Sequence, residues 1–343
     1  MHEYRKDPIV NRWVIVCADR ADRRGAFLEP TVWNDSAPCP FCEGHEEETP
    51  GEVLAYRQSE QSPNRPGWLV RVVPNKFPAV RATEEGVERD EPLFQSMPGV
   101  GAHEVVVESA RHVSSFSDLS AEEALDVLTA YRRRLRYWKA DSRMRSGIIF
   151  KNVGAAAGAS LEHTHSQIIV LPMVPAALAD ELAGAKSYEQ TNGCCFFCDM
   201  IAQERTIGER MIAESDRYVA IAPYASRLPL ETWVLPKRHE SHYENEPGKA
   251  IAELSIFLRQ VITAIDDVGR RPAYNYLIHT TPFDTASATH YHWHIEIIPI
   301  LSKTAGFEWA SGYYVNPLPP EQAAEWLRTS YSQYGVGEKS SLE

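Results

Sequence analysis

The residues best suited to chemistry lie in the run His163-Thr164-His165-Ser166-Gln167. Side chains at positions i, i+2 and i+4 of a β-strand face the same side, so His163, His165 and Gln167 form one polar row. An imidazole at His165 can attack phosphorus and form a phosphoramidate, which divides one group transfer into two easier steps. Gln167 can donate a hydrogen bond to charge that develops on a phosphate. The alternative is a solvated strand or a simple pair of metal ligands.

The loop before this strand has the sequence GAAAGAS at 154–160. Small residues and glycine allow backbone N–H groups to approach an anion closely. We therefore expect this loop to bring donors toward a bound phosphate beside His165.

Two Cys-x-x-Cys pairs and several His residues supply candidate metal ligands. In a large intracellular chain such pairs are more often metal ligands or redox motifs than disulfides. Structural zinc takes four Cys or His ligands. The alternative treats the pairs as core or redox groups and the His residues as incidental. The two predicted ligand sets are Cys39, Cys42, His112 and His163, and Cys195, Cys198, His239 and His290.

A second histidine-rich run, His290-Tyr291-His292-Trp293-His294, lies in the C-terminal half. The repeat aligns these three His residues with His163, His165 and Gln167 in that order. No Gly/Ala loop precedes this run, so a binding or structural role is favoured over a second nucleophile. A metal site built on several of these His residues together with His279 is an alternative to the second ligand set.

The same order of landmarks occurs twice in the chain. His112 precedes His163 by 51 residues, and His239 precedes His290 by the same number. Each half reads strand, helix, strand, loop, strand, with helices predicted at 120–140 and 247–267 and short β-branched strands around them. The pattern restarts at about 172–193. Each half is therefore an α+β unit built on an antiparallel sheet.

Composition narrows the classes of protein to consider. The 343 residues carry a formal net charge of −12, which disfavours nucleic acid as the main partner because phosphate neutralisation needs clustered Lys and Arg. The N-terminus lacks the apolar segment of a signal peptide, and no apolar run is long enough to span a membrane. We therefore expect a cytoplasmic protein with no membrane partner.

The block NVGAAAGASLEHTHSQ at 152–167 resembles the active-site block of galactose-1-phosphate uridylyltransferases, in the histidine-triad superfamily. The opening segment at 5–24 and PNKFPAV at 74–80 are similar to that family's N-terminal and Asn-x-Phe patterns. AGFEWASGYYVNPLPPEQAA at 305–324 resembles the sugar-phosphate segment in the variety that includes ADP-glucose phosphorylases. The resemblance covers nearly the whole chain.

The resemblance implies two histidine-triad-like repeats, at 1–180 and 181–343, that form one extended antiparallel sheet flanked by helices, usually in a homodimer. It implies zinc at the first ligand set and a ping-pong reaction through a nucleotidyl group on His165, between a nucleotide sugar and a sugar 1-phosphate. The residue matches place Gln167, Ser160 and Asn152 at the α-phosphate, Arg20, Arg23 and Asn75 near the nucleotide, and Gly306, Phe307 and Glu308 near the sugar, in the site of the same subunit or of the neighbouring one.

Two features bear on the reaction class. Histidine-triad hydrolases carry a third His where Gln167 stands, and an amide cannot titrate, so the intermediate should survive until a phosphate acceptor arrives. The family usually has Pro-His-Pro-His-Gly-Gln, whereas this chain has Glu162-His163-Thr164-His165-Ser166-Gln167. This departure leaves the base and the acceptor open.

Three functions follow as hypotheses. The first is a UDP-glucose–hexose-1-phosphate uridylyltransferase of galactose metabolism, which moves UMP to galactose 1-phosphate. The second is an ADP-glucose phosphorylase or adenylyltransferase with phosphate as acceptor. The third, from another class, is a zinc-dependent nucleotide-binding protein without turnover. The nucleotide sugar that labels the protein discriminates between them.

Overall fold

The computed structural model describes residues 2–18, 39–57, 62–83, 89–90, 93 and 95–334. The strands in these residues are β1 (His2–Lys6), β2 (Trp13–Cys17), β3 (Leu54–Arg57), β4 (Trp68–Pro74), β5 (Arg89–Asp90), β6 (Gln95–Ser96), β7 (Ala102–Val107), β8 (Ser146–Val153), β9 (His165–Leu171), β10 (Met211–Glu214), β11 (Tyr218–Ile221), β12 (Thr232–Pro236), β13 (Tyr274–His279), β14 (His294–Pro299) and β15 (Tyr314–Asn316). The α-helices are α1 (Ala121–Lys139), α2 (Ala176–Asn192), α3 (Phe196–Ile207), α4 (Gly248–Val268), α5 (Gly306–Ser311) and α6 (Pro320–Tyr334).

One sheet of ten strands forms the centre of the fold. Its order is β10-β11-β12-β14-β13-β8-β9-β7-β4-β3, and every pair of neighbours is antiparallel. Read outward from the centre, the first half runs β8-β9-β7-β4-β3 and the second runs β13-β14-β12-β11-β10. The two halves thus repeat one strand order, and β8 pairs with β13 where they meet. The α+β fold with an extended antiparallel sheet is confirmed.

The long helices begin where the sequence predicts. Ser120 Oγ accepts the Glu123 N–H at 3.1 Å, and Glu123 Oε2 accepts the Ser120 N–H at 2.8 Å, so a capping box begins α1. Such a cap stabilises a helix by about 1 kcal/mol. Pro247 occupies the N-cap position of α4, which packs against α1 and α6. The apolar faces of these helices cover the buried face of the sheet in one continuous core.

The segment in which the pattern restarts is helical. α2 occupies most of 172–193 and ends at Asn192, followed by Gly193, whose φ of 77° lies in the left-handed region. The second Cys pair follows at once, and α3 begins directly after Cys195.

A small three-stranded sheet, β1-β2-β15, joins the two ends of the described chain, with β15 parallel to β2. None of the helices in the described part of the chain is both long and apolar enough to cross a membrane.

Candidate active site and metal centres

His165 is the first residue of β9 and faces a pocket of about 640 Å³. Its Nδ1 lies 2.8 Å from the backbone oxygen of His163 and donates its proton there, so the lone pair is on Nε2. Burial lowers the pKa of His165, because desolvation disfavours the imidazolium. A neutral imidazole with a fixed tautomer is suited to nucleophilic attack.

Three other predicted site residues line the same pocket. Gln167 is two residues along β9 from His165, Ser160 comes from the loop before that strand, and Asn75 follows β4. The pocket thus combines an imidazole with an amide, a hydroxyl and a second amide. Its other lining residues are Pro40, Phe41, Glu48, Thr49, Pro50, Val73, Pro74, Lys76, Phe77, His103, Val105 and Leu161.

The small-residue loop differs from its predicted role. The N–H groups of Ala157, Gly158 and Ala159 bond to carbonyls of Gly154 and Ala155, so they are engaged within the loop. A Cβ on Gly154, whose φ is 82°, would lie 2.8 Å from the Cβ of Ala273. Gly154 therefore allows the two halves to pack closely. Of the residues 154–160, Ser160 is the one that lines the pocket.

Asn152 lies on β8, opposite Asn275 of β13. Its Oδ1 accepts a hydrogen bond of 2.8 Å from Asn275 Nδ2, which also donates to the Ala157 carbonyl. Asn152 is not among the described residues that line the pocket. Its contacts fix the loop to the central strand pair.

Other predicted residues lie elsewhere in the chain. Arg20 and Arg23 fall outside the residues that the structure describes. Gly306, Phe307 and Glu308 begin α5, which packs beside β15, and the described lining of the pocket does not include them. Glu308 Oε2 accepts the Ala305 N–H at 2.9 Å and so caps its own helix.

His103 is a pocket residue that sequence reasoning missed. Its Nε2 lies 2.7 Å from Gln167 Oε1, and Asn75 Nδ2 lies 3.4 Å from the same oxygen. The signal was a lone His two positions before Val105 on a strand predicted to be apolar, because alternate residues of one strand share a face.

A buried polar network supports β9 from the side opposite the pocket. Lys151 pairs with Glu108, and its Nζ also donates to Thr164 Oγ1 at 2.7 Å and to the backbone oxygen of His165 at 3.1 Å. Tyr131 donates to Glu108 Oε1 at 2.9 Å. Burial alone would raise the pKa of the Glu108 carboxyl, but the charge of Lys151 and the hydroxyl donors outweigh burial, so the pKa is lowered. The network holds the His165 backbone through a paired, fully buried cation.

The first predicted ligand set comes together. The ligand atoms of Cys39, Cys42, His112 and His163 all lie within 4.8 Å of one another. Cys42 Sγ lies 3.3 Å from His112 Nδ1 and 3.6 Å from His163 Nδ1. His163 Nε2 donates to the Ser109 carbonyl at 2.8 Å, which leaves Nδ1 unprotonated toward the thiols.

The second predicted set contains one error. The structure groups Cys195, Cys198 and His239 with His292 rather than with His290. Cys198 Sγ lies 3.5 Å from His239 Nδ1 and 3.7 Å from His292 Nδ1. His290 Nδ1 instead lies 3.9 Å from Glu189 Oε2.

His292 takes this place, rather than His290, because of where the strands begin. β9 begins two residues after His163, and β14 begins two residues after His292, so these two His residues are equivalent. Their spacings from the preceding ligands, His112 and His239, are 51 and 53 residues, so the matched spacing to His290 was a coincidence.

This register also changes the partners of the remaining His residues. His294 corresponds to His165, and each donates from Nδ1 to the carbonyl of the His two residues earlier. Glu181, His279 and His294 form a third group, with His279 only partly buried, whose ligand atoms lie within 4.8 Å of one another. The alternative that included His279 thus describes a separate cluster rather than a replacement for the Cys-containing set.

Two sequence profiles match the chain in tandem. The N-terminal domain of galactose-1-phosphate uridyl transferase matches residues 1–175, and the C-terminal domain matches residues 181–334. The chain belongs to the galactose-1-phosphate uridyl transferase family. The resemblance seen in the sequence is therefore confirmed, and the protein is a member of a nucleotidyltransferase family.

The chain is similar to proteins that are named for two different activities. An ADP-glucose phosphorylase of Arabidopsis thaliana is 35% identical over 333 residues, 95% of this chain and 92% of the relative. A galactose-1-phosphate uridylyltransferase of Haemophilus influenzae is 27% identical over 343 residues, 95% of this chain and 94% of the relative.

An ADP-glucose phosphorylase and a uridylyltransferase are also among the solved structures that are similar to the chain. The crystal structure of an Arabidopsis thaliana ADP-glucose phosphorylase with bound ADP-glucose has a TM-score of 0.80 at 35% identity, covering 96% of this chain and 99% of its own. A uridylyltransferase structure has a TM-score of 0.77 at 26% identity, covering 97% and 99%.

Proposed function

We propose that the protein transfers a nucleoside monophosphate from a nucleotide sugar to a phosphate-bearing acceptor through a covalent nucleotidyl-His165. The observation that carries this proposal is the orientation of His165. Its Nδ1 proton is held by the His163 carbonyl, so its Nε2 lone pair is available in a pocket that Gln167 and Ser160 also line.

The reaction has two displacements at the α-phosphorus. In the first, Nε2 of His165 forms a bond to phosphorus while the bond from phosphorus to the bridging oxygen breaks, and the sugar 1-phosphate leaves. In the second, a phosphate oxygen of the acceptor attacks the phosphorus and the bond to Nε2 breaks, which regenerates His165. The same pocket serves both steps, so donor and acceptor alternate in ping-pong order.

Polar groups around His165 stabilise the charge on the transferred phosphate. The Gln167 amide and the Ser160 hydroxyl are hydrogen-bond donors in the pocket lining, and Lys76 adds a cation. In this proposal, Arg20 and Arg23 contact the nucleotide. Gln167 supplies no group that titrates, which favours a phosphate acceptor over water.

We propose ADP-glucose as the donor and inorganic phosphate as the acceptor. The support is the higher identity, 35% against 27%, to the ADP-glucose phosphorylase than to the Haemophilus influenzae uridylyltransferase. The second candidate keeps the first hypothesis, uridylyl transfer from UDP-glucose to galactose 1-phosphate, and is supported by the family profiles.

The test is the intact mass of the protein after mixing with either nucleotide sugar at neutral pH, which preserves an acid-labile phosphoramidate. An adenylyl adduct that inorganic phosphate discharges supports the first candidate. A uridylyl adduct that galactose 1-phosphate discharges supports the second. His165→Gly is the control and should form neither adduct while it retains its metal. An adduct on that variant would disprove the role of His165, and the absence of any adduct on the unaltered protein would favour binding without turnover.

We propose zinc as the metal of both Cys-containing groups. Tetrahedral zinc with Zn–S of about 2.3 Å and Zn–N of about 2.0–2.1 Å places S and N about 3.5 Å apart. The observed Sγ to Nδ1 distances are 3.3–3.6 Å in the first group and 3.5–3.7 Å in the second. Bound zinc would tie the segment before β9 to the Cys39–Cys42 loop, which contributes Pro40 and Phe41 to the pocket.

We further propose that the protein is a homodimer in which Gly306, Phe307 and Glu308 complete the sugar site of the neighbouring subunit. The support is the exposure of α5, where Phe307 is 50% exposed and Trp309 is 80% exposed. Light scattering coupled to size-exclusion chromatography should give twice the mass of one chain. A monomer would remove this assignment of α5.

A further inference from the structure

The amide of Gln167 has two possible orientations in the pocket, and only one of them can help a phosphate. With Oε1 directed at the substrate, the side chain would repel the negative charge. With Nε2 directed at the substrate, it donates. The contacts of Gln167 with its neighbours decide between these orientations.

His103 is the first such neighbour. Its Nδ1 accepts the backbone N–H of Ala79 at 3.1 Å, so the ring proton must be on Nε2. That Nε2–H faces Gln167 Oε1 at 2.7 Å. The other tautomer would set an N–H of the ring against the N–H of Ala79, and it would offer no donor to Gln167.

Asn75 is the second neighbour and has the same polarity. Its Oδ1 accepts the backbone N–H of Phe77 at 2.8 Å, so its amide nitrogen turns toward Gln167. Asn75 Nδ2 lies 3.4 Å from Gln167 Oε1 and 3.1 Å from His103 Nε2, and it can donate only to the oxygen because the Ala79 contact assigns the ring proton to Nε2. Two donors therefore converge on one oxygen, and a flipped Gln167 would present N–H groups to both of them.

We infer that His103 is a positioning residue that holds the Gln167 amide nitrogen toward the transferred phosphate. The backbone N–H of Ala79 fixes the His103 tautomer, His103 fixes Gln167 Oε1, and Gln167 Nε2 is left to donate to substrate. This inference rests on the proposed nucleotidyl transfer at His165.

The same contacts leave His103 unable to act as a general base for water. A general base needs an unprotonated nitrogen within reach of water. The unprotonated nitrogen of His103 is occupied by the Ala79 N–H, and its protonated nitrogen faces Gln167. His103 thus sits in the pocket as a donor only.

A double-mutant cycle in single-turnover kinetics tests the role in the reaction. Removal of one preorganised donor to a developing oxyanion lowers a rate by about 10²–10³-fold. We expect His103→Leu to slow formation of the His165 adduct by about 10-fold or more, with little change in donor affinity. In a Gln167→Ala background the same substitution should change the rate by less than about 2-fold, because the two residues act as one unit. An equal loss in both backgrounds would mean that His103 acts only by packing and would overturn the inference.

Nitrogen NMR of the substrate-free protein tests the tautomer without any turnover. In ¹⁵N-histidine-labelled protein, the His103 signals are assigned by their absence from His103→Leu, or from His103→Asn if the leucine variant folds poorly. We expect a protonated Nε2 and an unprotonated Nδ1. A protonated Nδ1 would overturn the inference even if the protein forms the adduct. If no nucleotide sugar labels His165, the proposed function fails, whereas the tautomer result still stands by itself.

Discussion

The ring of Trp233 stacks on the ring of His294, with ring centroids 5.1 Å apart and planes inclined by 28°. Phe197 stacks on His294 as well, at 5.2 Å and 29°. His294 is fully buried between them. It is the counterpart of His165, yet among the described residues it is fully covered by its neighbours, including Trp233 and Phe197.

The sheet register shows what replaced that pocket. Trp233 pairs with Glu296 across β12 and β14, as Val105 pairs with Gln167 across β7 and β9. In the first half the position therefore carries a small side chain that leaves space beside His165. In the second half an indole fills the equivalent space.

We expect one nucleotidyl group per chain as a consequence. Saturating nucleotide sugar should raise the intact mass by a single nucleotidyl increment, and peptide mapping under neutral conditions should place it at His165. Modification of His294, or a second increment of mass, would contradict the view that Trp233 closes the second half.

The group of Cys195, Cys198, His239 and His292, proposed above to bind zinc, allows a matched pair of substitutions. His292→Ala should remove one metal per chain and destabilise the protein by several kcal/mol, because the metal-binding free energy contributes to folding. His290→Ala, only two residues away, should retain the full metal content. Elemental analysis of the purified variants and urea unfolding measure both effects. Loss of metal from His290→Ala instead would restore the equal-spacing assignment.

The ion pair behind His165 should be costly to break from one side. Lys151→Met leaves the Glu108 carboxylate buried without its cation, which should lower the free energy of unfolding by about 3–5 kcal/mol. The double variant Lys151→Met with Glu108→Gln removes both charges and should recover most of that loss. Urea unfolding of the three proteins is the measurement. A single variant within about 1 kcal/mol of the unaltered protein would show that the pair is dispensable.

A buried carboxylate between the two halves predicts an acid-sensitive contribution to stability. Glu244 Oε1 lies 2.9 Å from Lys139 Nζ of α1 and 3.1 Å from His242 Nδ1. Burial alone would raise the pKa of Glu244, but hydrogen bonds from His242 and Lys139 outweigh it and lower the pKa from 4.5 to about 2.

Because the folded state lowers this pKa, the contribution is complete above about pH 5 and is lost as the pH falls toward 2. Between pH 6 and pH 4 the unaltered protein should lose about 1 kcal/mol more stability than Glu244→Gln. Urea unfolding of both proteins at the two pH values gives the difference. Equal losses would show that Glu244 titrates normally.

The sequence predicted the parts of the site that local chemistry determines. His165 and Gln167 alternate on β9 and line one pocket, as strand geometry predicts, whereas His163 precedes the strand and faces the Cys pair instead. The capping box at Ser120 required only four residues. The first ligand set followed because both Cys pairs and both His residues recur in order along the chain.

The errors arose where spacing along the chain differs from position in the sheet. The connection between β13 and β14 is longer than that between β8 and β9, so counting residues selected His290 although the strand start selects His292. His103 was missed because its partners, Ala79 and Gln167, lie on other segments of the chain. Tertiary register decides both cases, and no local pattern records it.

The pairing of β8 with β13 joins two halves of the same strand order in a single polypeptide, so equivalent positions in the two halves can carry different residues. Two identical half-length chains meeting at the same seam would have to carry the same residue at equivalent positions. Covalent linkage removes that constraint, so valine at 105 and tryptophan at 233 can coexist. The first half can therefore keep an open pocket beside His165 while the second half fills the equivalent position, and both halves retain the same strand order.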